Sequence, residues 1–203
     1  LARKQTLAET SVARISREFT QAYNESEAWT KTSWLGVQVL KPVTDLWLYQ
    51  EIISLERPNA ILKTGTRSGG SALYFASIMD LVGLNGLVVS VDTQTKRLSH
   101  HPKIRYLIGS STDPSTRDTV ASLVPNGFGL VCLDSDHSVA HVRGELDLLS
   151  PLATDILVVE DTFTSEARDA VRDWLATDPP FKVDDYLQKK FLSTFHTWLR
   201  RIK

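Results

Sequence analysis

The stretch Phe128-Gly129-Leu130-Val131-Cys132-Leu133-Asp134-Ser135-Asp136-His137 decides how this chain reads. An apolar run broken by one glycine ends in two carboxylates and a histidine, and the pattern returns where Ile156-Leu157-Val158-Val159 meets Glu160-Asp161. Apolar runs of this length suit strands buried on both faces of a parallel sheet, whose carboxyl ends share one crevice. Carboxylates gathered there, with His137 beside them, point to a hard divalent ion with a proton acceptor next to it.

Working outward, short apolar runs alternate with amphipathic segments, the mark of an α/β fold with a mostly parallel sheet and helices on both faces. The patterning predicts strands at Ala60–Leu62, Leu87–Val91, Ile104–Ile108, Phe128–Leu133 and Ile156–Val159. Helices are expected over Ser71–Val82, Ser115–Leu123 and Val139–Leu149, and also over Thr6–Tyr23, Val43–Leu55 and Ser165–Ala176. A tail around Phe191–Phe195 is placed as an antiparallel edge strand.

The first core strand runs straight into Thr64-Gly65-Thr66-Arg67-Ser68-Gly69-Gly70-Ser71 and then a helix. Glycines there let the chain turn sharply and bring its backbone close to a ligand, while the helix offers free N–H groups. The functional reading is a cofactor cradle; the plain one is a strand-to-helix turn. Asp92 closes the next strand, about where an acid receives ribose hydroxyls in dinucleotide-type folds.

At 203 residues and 42% hydrophobic content the chain makes one domain with a full core. Residues 1–40 are read as an N-terminal helix and connection, and 41–203 as a Rossmann-like core. Lys plus Arg is 23 and Asp plus Glu is 24, so a net charge of -1 gives no electrostatic reason to expect nucleic acid or an anionic membrane. A small-molecule partner is more natural, with the N-terminal helix a plausible surface for homo-oligomer contact. The single Cys132 excludes an internal disulfide and reads as a buried, inert thiol. No apolar stretch approaches the ~18 residues that span a bilayer, and no secretory pattern opens the chain, so the expectation is a soluble, cytoplasmic protein.

Plainer readings stand beside the sharp ones. Asp136 or Ser135 can cap the helix beginning near Ser138. His137 and His141 have the spacing of two zinc ligands on one helical turn, but hard carboxylates surround them. His100 and His101 read as solvated loop residues, and His196 as a packing or edge residue. Trp29 and Trp34 read either as walls of an acceptor pocket or as core aromatics.

Together, Trp34-Leu35-Gly36-Val37, Asp45-Leu46-Trp47-Leu48-Tyr49-Gln50-Glu51, the Thr64–Ser71 loop, Ala72-Leu73-Tyr74-Phe75-Ala76, Leu133–His137 and Val158-Val159-Glu160-Asp161-Thr162 resemble the cephalosporin hydroxylase family. Its best understood relatives are S-adenosylmethionine- and magnesium-dependent methyltransferases. More distantly the chain is similar to macrolide sugar and catechol-type O-methyltransferases. The resemblance implies a class I methyltransferase sheet and an O-methyltransferase acting on a hydroxyl of a small metabolite, such as a natural-product sugar. It assigns Gly65, Thr66, Arg67, Gly69, Ser71, Asp92, Ser110, Ser111 and Asp134 to S-adenosylmethionine. Asp134, Glu160 and Asp161 match the Mg2+ ligands, and His137 the general base. Two features depart from the pattern: the stretch after Glu160-Asp161 passes through Thr162-Phe163-Thr164 almost directly into a helix, where relatives carry a longer segment over the active site, and Lys63 stands where these families carry an acid. That leaves open a binding protein of the same fold without catalysis. A nucleotide-dependent oxidoreductase is disfavoured, because the loop lacks a Gly-x-Gly-x-x-Gly pattern.

Overall fold

The computed structural model describes residues 14, 15, 18–94, 99–190 and 195–202. A small antiparallel ribbon, β1 (Ser33–Trp34) and β2 (Val37–Gln38), precedes helix α1 (Val43–Glu56). The core then runs β3 (Ile61–Thr64), α2 (Gly70–Leu81), β4 (Val88–Asp92), β5 (Ile104–Ile108), α3 (Pro114–Leu123), β6 (Phe128–Leu133), α4 (Val139–Leu149) and β7 (Ala153–Val159). It ends with α5 (Ser165–Leu175), β8 (Phe181–Val183), α6 (Asp185–Lys189) and β9 (Thr197–Arg201).

Seven strands form one sheet in the order β5-β4-β3-β6-β7-β9-β8. Strands β3 to β7 pair in parallel with one another, and helices follow β3, β5, β6 and β7 to carry the chain back. β9 runs antiparallel between β7 and β8. The period of two divides the core between the faces. Leu62, Val89, Val131 and Leu157 pack with residues of α4 and α5 on one side. Ile61, Val88, Leu130 and Ile156 pack with residues of α1 and α2 on the other. The apolar content of β3, β6 and β7 is continuous because both faces are covered.

The expected strands and helices between residues 43 and 176 lie within a few residues of their predicted ends. β7 starts earlier, at Ala153, and its polar Asp155 is taken up by Arg200 Nη1 of β9 at 3.2 Å. The antiparallel strand comes at Thr197–Arg201 and is not the edge, because β8 pairs along its outer side. Residues 191–194, within the expected position of that strand, lie outside the described residues, as do Leu7 and Val12 of the N-terminal helix. Residues 18–25 are helical. Among the described residues no helix is long and apolar enough to cross a membrane.

Register positions the site. Lys63 is opposite Cys132, Cys132 opposite Val158, and Thr64 opposite Val91. The carboxyl ends of β3, β4, β6 and β7 therefore stop side by side.

Candidate active site

Backbone contacts stitch these strand ends together. Gly65 N–H donates to Val91 O at 2.9 Å, Glu160 N–H to Leu133 O at 2.9 Å, and Asp134 N–H to Thr64 Oγ1 at 3.0 Å. Gly65 has φ +73, and a Cβ there would meet Asp134 O at 1.8 Å, so only glycine fits between the two tips.

The acids at the tips do not act as one group. Asp134 Oδ2 accepts from Lys63 Nζ at 2.6 Å and from Lys41 Nζ at 3.0 Å. Lys41 also bonds Glu160 Oε2, and Tyr49 Oη donates to Glu160 Oε1 at 2.5 Å. Glu160, 2% exposed, is thus held behind the tip with both oxygens engaged. Burial opposes the charged forms of Lys41 and Asp134, but their mutual attraction wins: the Lys41 pKa is raised and the Asp134 pKa is held far below the usual carboxylate range. Burial pushes the neighbouring Cys132 thiol up, consistent with an inert side chain.

Facing the cavity are Asp134, His137 and Asp161, each offering one ligand atom within 4.8 Å of the others. His137 Nε2 lies 3.3 Å from Asp161 Oδ2, with the side chains 32% and 40% exposed. Asp161 is a non-glycine residue at φ 54, a conformation that costs of order 1–3 kcal/mol. Its N–H donates to His196 Nδ1 at 3.1 Å and its carbonyl accepts from Thr164 Oγ1 at 2.9 Å, which hold it there. His196 is itself paired with the buried Asp45 at 2.9 Å. Burial, then the negative Asp134, push the Asp161 carboxyl above its ordinary value.

A cavity of about 910 Å³ opens beside this cluster. Of the cofactor residues expected from the sequence, Gly65, Thr66, Arg67, Ser71, Asp92, Ser110, Ser111 and Asp134 line it, whereas Gly69 does not. Gly69 has φ +76 and is the N-cap of α2, so its part is conformational. Asp92 Oδ2 accepts from Thr66 N–H at 2.8 Å and Arg67 N–H at 2.9 Å, clamping the loop. Trp29 lines the cavity, while Trp34 stacks edge-on against Tyr74 at 4.9 Å in the core.

His141 is not brought into the acidic cluster. Its Nε2 lies 2.9 Å from Ser135 Oγ and 3.1 Å from Ser111 Oγ, and Ser135 Oγ donates to the buried Glu145 at 2.7 Å. Glu145 raises the His141 pKa against the effect of burial. Asp136 Oδ1 takes Ser138 N–H at 2.8 Å before α4, so Asp136 rather than Ser135 supports the helix start. His101 is not a solvated loop residue: it pairs with Asp80 at 3.1 Å with its side chain 14% exposed. Lys41, Tyr49, Asp45 and His196 are the site-building residues that sequence reasoning missed. Asp45 and Tyr49 do lie in the quoted Asp45–Glu51 motif, and Lys41 was signalled only as a lone cation in an apolar connection.

A sheet of this order, with a glycine loop after its central strand and acids at the next two tips, defines the Rossmann-like class I methyltransferase fold. The chain belongs to the rhamnosyl O-methyltransferase/CmcI family, whose model matches residues 26–202. It is 40% identical over 156 residues to the rhamnosyl O-methyltransferase of Mycobacterium tuberculosis, covering 73% of this chain and 64% of that protein. The Mycobacterium leprae protein of the same name is 39% identical over 155 residues, covering 73% and 68%. The chain thus spans less than two thirds of the length of the Mycobacterium tuberculosis relative and 68% of that of the Mycobacterium leprae one. Among solved structures, CmcI with Mg and SAM superposes with a TM-score of 0.69 at 17% identity, over 86% of this chain and 78% of that one. The O-methyltransferase NovP gives 0.62 at 13% identity, over 81% and 82%. MycE with Mg, SAH and mycinamycin VI gives 0.54 at 18%, over 71% and 45%.

Proposed function

We propose that this protein is a divalent-metal-dependent O-methyltransferase using S-adenosylmethionine and acting on a hydroxyl of a small sugar-bearing metabolite. One observation carries it: the glycine loop, Asp92 and the Asp134–His137–Asp161 cluster share a single cavity. The names of the mycobacterial relatives, and the MycE complex with a macrolide, support a sugar hydroxyl as the acceptor.

The residues present fit both ligands. Gly65 lets the loop close directly on the Asp134 tip, so loop and acid border one cavity, and Ser110 and Ser111 line the same cavity. Asp134 and Asp161 are hard oxygen donors suited to Mg2+, and Asp134 Oδ1 has no donor among the described residues. Glu160 supports Asp134 from behind through Lys41. When bound, the two groups supply an activated methyl and a positive charge that lowers the acceptor's pKa. The protein's own part is orientation and proton removal. His137 Nε2 takes the acceptor's proton, and Asp161 Oδ2 at 3.3 Å stabilises the imidazolium that results. Trp29, Gln38, Val39 and Leu40 wall the cavity on the side left for the acceptor.

Calorimetric titration with S-adenosylhomocysteine, followed by methyl transfer from labelled S-adenosylmethionine to rhamnosyl glycosides, tests the reading. Wild type should bind the product and label an acceptor, whereas His137→Ala should bind and not label. Lys63 beside Asp134 favours one alternative, a binding protein of this fold. A wild type that binds no S-adenosylhomocysteine, with binding recovered in Lys63→Glu, selects that alternative.

A further inference from the structure

Lys63 is a cation built into the sheet. Its ammonium meets Asp134 Oδ2 at 2.6 Å, Gly65 O at 2.7 Å and Thr64 O at 2.9 Å, and the residue is 1% exposed. Three oxygens around one buried positive charge form a small coordination shell of the kind a metal ion would otherwise receive. The same Asp134 oxygen accepts Lys41, whose charge is shared with Glu160. Three carboxylates, Asp134, Glu160 and Asp161, therefore stand against two ammonium groups. A divalent ion arriving from the cavity meets a fixed charge of about one negative unit rather than three.

Lys63 differs from Lys41 in what else it holds. Lys41 ties the two acids to each other, while Lys63 ties Asp134 to the carbonyls of the cofactor loop.

We propose that Lys63 is an internal counter-ion of the acidic cluster, holding Asp134 against the cofactor loop without metal and weakening the cluster's affinity for divalent cations. This rests on reading Asp134 and Asp161 as the cation ligands.

Mn2+ titration followed by electron paramagnetic resonance of the free ion tests it without any turnover. Lys63→Met and Lys63→Gln should bind Mn2+ at least tenfold more tightly than wild type, while Lys63→Arg, which keeps the charge, should stay within twofold of it. Equal or weaker binding in both neutral variants overturns the proposal. A neutral variant that folds only with Mn2+ present supports it, and one that Mn2+ does not rescue overturns it. S-adenosylhomocysteine binding by wild type is measured in parallel. Its absence sinks the methyltransferase reading and leaves the Mn2+ comparison intact.

Discussion

Asp134 and Asp161 share a cluster but differ in what surrounds them, and substitution should separate them. Asp134→Asn leaves Lys41 and Lys63 buried with half their compensation, which should cost about 3–5 kcal/mol in urea denaturation. Asp161→Asn removes a carboxylate that is 40% exposed, at a left-handed position that asparagine tolerates, and should cost under about 1 kcal/mol. Equal losses for the two would show that the lysines do not distinguish them. Gly65→Ala meets the Asp134 carbonyl in a left-handed conformation and should lose about 1–3 kcal/mol or more, together with S-adenosylhomocysteine binding. Asp92 makes the pH dependence visible. Burial raises its pKa, but the N–H groups of Arg67, Gln94 and Thr66 outweigh that and lower it. Its stabilisation is full above the unfolded value of about 3.9 and is lost as pH falls through the lower folded value. The stability gap between wild type and Asp92→Asn, measured in urea, should therefore close on acidification below about pH 4. Asp134, His137 and Asp161 were legible because each ends or follows an apolar run. The burial of Glu160 was not, because its partners Lys41 and Tyr49 come from 119 and 111 residues away.

At the scale of elements, legibility followed burial. β6 and β7 announce themselves through continuous apolar runs, and Leu130, fully buried on the α1/α2 face, should cost about 2–5 kcal/mol as Leu130→Ala in the same measurement. β9 was misplaced because its arginines suggest solvent. Arg200 instead reaches Asp184, Glu56 and Asp155 at 2.7, 2.8 and 3.2 Å, satisfying its charge through neighbours distant in sequence. The ribbon of β1 and β2 went unseen for a different reason: two-residue strands are too short to show a period.

For the whole molecule, the mostly parallel sheet and its helices on both faces were readable from alternation alone, whereas the order of its antiparallel edge depended on pairings no local pattern encodes. Ligand linkage is the test at this scale. S-adenosylhomocysteine at a hundredfold over its dissociation constant should add about 2.7 kcal/mol to unfolding of wild type, read from the urea midpoint. The contact of Gly65 with the Asp134 carbonyl has a consequence for how such a protein changes its clientele. The cofactor loop and the acid-bearing tip are neighbours on one rigid sheet, so neither can drift without the other. The wall contributed by Trp29, Gln38, Val39 and Leu40 belongs to no strand of that sheet. Under the proposed function, exchanging residues 29–40 between relatives should swap acceptor choice only where the graft keeps the Gln38 carbonyl that closes on Gly70 and the Val39 carbonyl that accepts from Ser71 Oγ.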